Sequence, residues 1–253
     1  MSYKGTVIKE KIRKSLELLK IDRPIYHSED DFKFSFSKVL QEELGKNYTI
    51  RLERPEEILM LKRDGTTKVV RAPIDIVVIN KITSEFYPIE LKYKTKKYET
   101  IHQDEKYKLT EQGATDIGRF SFRKDIYRIE QLLKDKTIQG FFIVITNENK
   151  YLQDISNKDT LDKNFSFHNN AILDKEDKSW NYKKQLASGY SLNDDFKLIK
   201  NNKLHWTSTG DEFYKLNLKN TYEIKWEKYS KFENTEMYIS IIEIRQQNIV
   251  ANK

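Results

Sequence analysis

The sequence predicts an α/β fold: a mixed central sheet with helices on its faces. Three features predict it. Two amphipathic helical stripes lie near the start, closely spaced strands fill residues 48–94, and a helix then leads into a near-continuous apolar strand ending at Thr146. At 253 residues the chain is long enough for one sizeable domain. No internal repeat and no Gly/Ser- or Pro-rich linker divides it. Residues 1–150 are read as the core, and residues 151–253 as a β-rich C-terminal extension packed on it as one compact unit.

Ile8, Ile12, Leu16 and Leu19 stand at helical spacing and place a helix over Thr6–Lys20, which Asp22-Arg23-Pro24 stops. A second helix begins at Ser28, an N-cap with Glu29, Asp30 and Asp31 in its first turn, carries Phe32, Phe36, Val39 and Leu40 on one stripe, and ends at Gly45. Tyr48–Glu53 alternates as a strand with one buried face. Ile58–Arg63 and Thr66–Ala72 flank Asp64-Gly65, a type I′ hairpin signal, and the second arm runs on towards Asp75 with a bend at Pro73. Ile74–Ile79 and Phe86–Tyr93 are apolar strands joined by the polar loop Asn80–Glu85. After Gln112–Arg119 a helix presents Phe122, Ile126, Ile129 and Leu133, with Asp125, Arg128 and Glu130 between them. Ile138–Thr146 is then a strand buried on both faces. Residues 147–190 read as irregular, Phe196–Ile199 and Leu204–Thr207 as a hairpin about Asn201-Asn202, and Tyr222–Tyr229 and Met237–Arg245 as two further strands. Trp206, Trp226 and Tyr229 are read as packing residues.

Composition narrows the function. The chain carries 46 Lys+Arg against 39 Asp+Glu, a formal charge of +7, which fits a polyanionic partner. With no cysteine, disulfides, zinc–thiolate sites and cysteine nucleophiles are excluded. No apolar run approaches membrane-spanning length and the start has no apolar signal region, so a soluble, cytoplasmic protein without membrane contact is expected. Phosphate-loop, dinucleotide-fingerprint, His-Glu-x-x-His and Gly-x-Ser-x-Gly motifs are all missing.

Three ionisable groups sit in otherwise apolar strands: Asp75 in the first, Glu90 and Lys92 sharing one face of the second. Buried charges are costly unless they are paired or bind a metal. Two carboxylates offer hard oxygen ligands suited to Mg²⁺, and an ammonium two residues on lies where it can orient water or stabilise charge on a phosphate. The bland reading is an exposed charge set on an edge hairpin, since Glu-x-Lys recurs by chance in a lysine-rich chain.

Asp75 followed by Glu90-Leu91-Lys92 resembles the PD-(D/E)XK, or restriction-endonuclease-like, nuclease superfamily, with Ile74 inserted between Pro73 and Asp75. Gln112-Gly113-Ala114-Thr115-Asp116-Ile117-Gly118-Arg119 and the helix after it are similar to uncharacterised bacterial proteins of that class. The resemblance implies an αβββαβ core and an Mg²⁺- or Mn²⁺-dependent endonuclease acting on nucleic acid, DNA more than RNA. It implies Asp75 and Glu90 as metal ligands and Lys92 as the residue that positions or activates water. A helical acid completes the set: Glu29, with Glu43 the second choice and helix-dipole complementarity the ordinary reading of Glu29. Restriction or phage defence, a homodimer and a defence-system partner protein belong to the same expectation. The alternative is a catalytically silent nuclease fold that binds nucleic acid or scaffolds a complex.

Residues 92–108 interleave lysines with tyrosines. They read either as a grip on a phosphate backbone through Lys94, Lys96 and Lys97, or as a solvated hairpin arm. Gln112 and Arg119 border the site by the resemblance, with capping and packing at a helix start as their other reading.

Overall fold

The computed structural model describes residues 4–176 and 178–246. Helices α1 (Lys4–Asp22) and α2 (Glu29–Leu44) come first, then strands β1 (Tyr48–Leu61), β2 (Thr67–Asn80) and β3 (Phe86–Lys94). A short hairpin, β4 (Tyr98–His102) and β5 (Glu105–Leu109), precedes α3 (Thr115–Leu132) and β6 (Gln139–Thr146). The last two long strands are β7 (Trp226–Phe232) and β8 (Thr235–Arg245). The sheet runs β1-β2-β3-β6-β8-β7, with β3 and β6 parallel and every other neighbour antiparallel. The sheet is mixed, as the sequence predicts.

Two cores cover its faces. Ile8, Ile12, Phe32 and Phe36 of α1 and α2 pack with Ile89, Leu91, Phe141 and Ile143 on one side. Phe122, Ile126 and Ile129 of α3, with Phe167, Trp180 and Leu216 from the C-terminal part, pack with Val77, Phe142 and Val144 on the other. Strand β6 is buried along its whole length, as its unbroken apolar run demands. Gly140 permits α3 to lie this close. A Cβ there would stand 2.9 Å from the Pro88 carbonyl and would collide with Ile129.

Several boundaries depart from the sequence reading. The two predicted strands on each side of Asp64-Gly65 are single strands of 14 residues, and Pro55 and Pro73 face each other across the ladder. The register continues through them, from Arg54↔Ile74 to Glu56↔Ala72, so the bend expected at Pro73 does not interrupt pairing. The predicted strand Tyr222–Tyr229 is divided. Tyr222–Glu223 pairs with Ile172–Leu173, and only Trp226 onwards enters the main sheet. Asn201 and Asn202 both have positive φ, 51° and 62°, and close a hairpin whose arms are shorter than predicted. The β-rich extension is therefore continuous with the core sheet through β8, which pairs with β6 over eight residues. Trp226 and Tyr229 pack as expected: the indole donates to the Phe167 carbonyl, and the Tyr229 hydroxyl meets Tyr26 at 2.8 Å. No helix among the described residues is long and apolar enough to cross a membrane.

Candidate active site

Asp75 and Glu90 come from neighbouring strands. The β2–β3 ladder runs from Ile79↔Phe86 to Ile76↔Ile89, and the next step of that register sets Asp75 opposite Glu90. The ladder ends there because Asp75 Oδ2 accepts the amide of Leu91 at 2.8 Å. On its other side the β1–β2 ladder passes from Leu52↔Ile76 to Arg54↔Ile74, which sets Glu53 opposite Asp75. Glu53 has φ +50°, a left-handed conformation uncommon outside glycine, and falls out of the ladder. Glu53, Asp75 and Glu90 thus form one row across three strands.

Helix α2 brings the next groups. The Ser28 hydroxyl accepts from the Asp31 amide at 3.1 Å and fixes the first turn. Glu29 then accepts the Tyr93 amide at 2.9 Å through one oxygen, while its other oxygen lies 3.8 Å from Lys92 Nζ. One turn further, Lys33 Nζ stands 3.2 Å from Asp75 Oδ1 and 3.1 Å from Asp30, and it also bonds Glu53. Glu43 is elsewhere, paired with Lys14 at 2.8 Å and Lys11 at 3.4 Å on α1. Of the two helical acids, only Glu29 reaches Lys92.

Helix α3 closes the site from the other face of the sheet. Lys92 Nζ lies 3.0 Å from Asp125 Oδ2. Arg128 reaches Glu90 Oε1 and Asp125 Oδ1, both at 3.2 Å, and donates to the Pro73 carbonyl at 2.6 Å. Lys33, Glu53, Asp125 and Arg128 join the site without belonging to the Asp75, Glu90-Leu91-Lys92 motif. A signal for two of them was present. Asp125 falls three residues after Phe122 and four before Ile129, inside the apolar stripe, and Lys33 shares the face of Glu29 and Phe36.

The electrostatics follow from this crowding. Burial pushes the Glu90 carboxyl well above its usual range, and repulsion from Asp125 and then Asp75 adds to it against the pull of Arg128. Burial disfavours the Lys92 ammonium, but Asp125, Glu29, Glu90 and Asp75 together outweigh it and raise its pKa, so Lys92 is a fixed cation. Burial raises Asp75 as well, yet Lys92, the Leu91 amide, Glu90 and Lys33 bring it below the ordinary value. Glu90 Oε1 and Asp125 Oδ2 are buried without an aligned hydrogen bond, although each has a cation 3.2 Å or less away.

The remaining predicted residues separate. Lys94 is half-buried beyond Lys92, and Lys96 and Lys97 are exposed in the segment after β3. Gln112 returns beside that segment, its amide donating to the Thr95 carbonyl at 2.9 Å. Arg119 is buried and committed to Asp162 and the Lys150 carbonyl, with its guanidinium 5.6 Å from the Tyr151 ring centre. It holds α3 to the segment after β6 and is not free to contact a phosphate.

Among the described residues no three His, Cys, Asp or Glu side chains gather in a metal-holding group. Mg²⁺ does not need three, because it retains several waters and is bound through one or two carboxylates plus substrate phosphates. The facing Asp75 and Glu90 supply two hard oxygen donors, which are held by Arg128, 3.2 Å from Glu90 Oε1, and by Lys33 and the Leu91 amide at Asp75. In chemical type these two carboxylates suit a hard divalent cation, which would have to compete with Lys33 and Arg128. Comparison with known protein families, curated proteins and solved structures finds no match to the chain.

Proposed function

We propose that the chain is a metal-dependent nuclease that hydrolyses nucleic-acid phosphodiesters, with Asp75 and Glu90 as the ligands of Mg²⁺ or Mn²⁺. The observation that carries this reading is the Asp75–Glu90 pairing one register step beyond the ladder, with Lys92 two residues on. When bound, the cation supplies Lewis-acid activation of water and neutralises charge on the scissile phosphate. The chain's own groups do the rest. Lys92, held cationic by Asp125, is suited to orient water and stabilise charge developing on phosphate, not to remove a proton. Glu29, with both oxygens engaged by the Tyr93 amide and Lys92, fits the role of holding Lys92 better than that of a third ligand. Arg128 sets the Glu90 carboxylate against the strand.

The charge of +7 supports a polyanionic substrate; the preference for DNA, and a place in restriction or phage defence, rest on the resemblance alone. The test is cleavage of plasmid, linear duplex, single-stranded DNA and RNA with Mg²⁺, Mn²⁺ or EDTA. Metal-dependent cutting abolished in Glu90→Ala and Lys92→Ala supports the reading; inertness of wild type on every substrate sinks it.

One observation favours a second reading. Lys33 already places an ammonium among Asp30, Glu53 and Asp75, as an internal counter-ion would. A silent fold that only binds nucleic acid would show salt-sensitive binding without cutting.

A further inference from the structure

A polar cavity of about 500 Å³ opens at the C-terminal ends of β3 and β6, bounded by the segment after β3, the residues after β6 and the β7–β8 turn. Its volume is that of a small-ligand site. Lys92 and Lys96 are four residues apart on one chain, so the cavity begins ~13 Å from the catalytic lysine in extended geometry. The loop at its edge is fixed: Asn147 accepts the Lys96 amide at 2.7 Å and donates to the Lys96 carbonyl at 3.3 Å.

The lining combines aromatic faces with amide groups. Tyr98 and Phe232 lie with ring centres 6.2 Å apart, and Asn149 and Asn234 are exposed beside them. Two of the cavity's carboxylates are satisfied internally. Glu236 is held by Lys228 at 2.7 Å and the Tyr238 hydroxyl at 2.6 Å, and Glu148 accepts the Lys150 amide at 3.1 Å. Lys96 and Lys97 are exposed at the rim and enter no ion pair among the described residues. A planar group with donors and acceptors, carried on a phosphate backbone, matches this set: aromatic faces for the ring, amides for its edge, lysines for the phosphates.

We propose that this cavity binds an unpaired nucleobase of the strand that is cut at Asp75 and Glu90, and that it directs the enzyme to substrates with a single-stranded or everted nucleotide. The proposal rests on the nuclease reading. A base inside a duplex is stacked and paired, so it enters such a cavity only from a single strand or after eversion.

The experiment measures affinity in EDTA, by fluorescence anisotropy, for a blunt duplex and for the same duplex with a single-stranded tail. Wild type is expected to prefer the tailed form by about tenfold or more, the worth of one base stack, and Phe232→Ala and Asn234→Ala are expected to abolish most of that preference. Asn234 is exposed in a turn, so its variant keeps the test valid if Phe232→Ala does not fold. No tail preference in wild type, or an unchanged preference in both variants, overturns the proposal. Saturable binding of a mononucleotide without tail preference also overturns it, in favour of a free-nucleotide site. Cleavage with Mn²⁺ is read separately. Tail preference lost in the variants with no cutting by wild type keeps the cavity and discards the nuclease; equal cutting of both duplexes, unaffected by the variants, does the reverse.

Discussion

Asp75 and Glu90 face each other across β2 and β3 at the first position where those strands stop pairing, and the Leu91 amide that leaves the ladder is taken by Asp75. Burial, then repulsion from Asp125 and from Asp75, disfavours the Glu90 carboxylate against the pull of Arg128. Glu90→Gln is therefore expected to lower cleavage by about 10²-fold or more while raising the midpoint of thermal unfolding in metal-free buffer, by about 1 kcal/mol of stability. Asp75→Asn should lose cleavage without that gain, since Asp75 is held by Lys33 and the Leu91 amide. Cleavage assays and calorimetry on the two variants check both statements.

Lys92 and Asp125 are a buried pair 3.0 Å apart. Removing one partner of a buried pair leaves an uncompensated charge and costs about 3 kcal/mol or more. Lys92→Ala should lose both stability and cleavage. Adding Asp125→Ala should recover part of the stability and none of the cleavage. Denaturant melts of the double-mutant cycle measure the coupling; additive losses would mean that the pair does not hold Lys92 in place.

Glu130 tells how the C-terminal part is fastened. Fully buried on α3, it accepts the amides of Lys219 and Asn220 at 2.6 and 2.9 Å and the Tyr222 hydroxyl at 2.6 Å. Glu130→Ala orphans those donors, and a loss of about 2–3 kcal/mol is expected in chemical denaturation. Faster amide hydrogen exchange at residues 219–222 should accompany it.

Acid stability has an identifiable contributor far from the site. Burial raises the Glu243 carboxyl, but Arg245 and then Lys9, 2.9 Å away, bring it below its ordinary value of 4.5. A carboxyl depressed in the folded state stabilises above its unfolded pKa and loses that contribution as pH falls through the folded value. Wild type should thus lose more stability than Glu243→Gln on going from neutral pH to about pH 3. Solvent screening keeps the difference small, because the partners Lys9 and Arg245 are themselves well exposed. Melting temperatures across that range, compared between the two proteins, measure it.

What was legible in the sequence was local. Helical stripes at Ile8–Leu19 and Phe122–Ile129 and the apolar run to Thr146 located the layers, because side-chain period decides which face is buried. Asp75, Glu90 and Lys92 stood out as charges in apolar strands, and the structure gathers them with Glu29. Lys33, Glu53 and Arg128 were not picked, since their meaning comes from partners 20 to 42 residues away. Asp125 sat in view on an apolar face, and its burial only makes sense once α3 crosses over Lys92. Arg119, which borders the site by the resemblance, is spent on packing instead, and Asp162, its partner, lies in a stretch with no periodicity to place it.

The position of β8 has a consequence for how the molecule is made. Strand β6, apolar and buried from end to end, has β3 on one side, and its other side is covered only by the strand that ends at Arg245. During synthesis that side stays an open edge until residues 238–245 have emerged to pair with it. Residues 1–150 alone contain the candidate catalytic groups, but they cannot complete the sheet. A chain that stops before Tyr222 is expected to leave that edge of β6 unpaired and prone to associate with other chains.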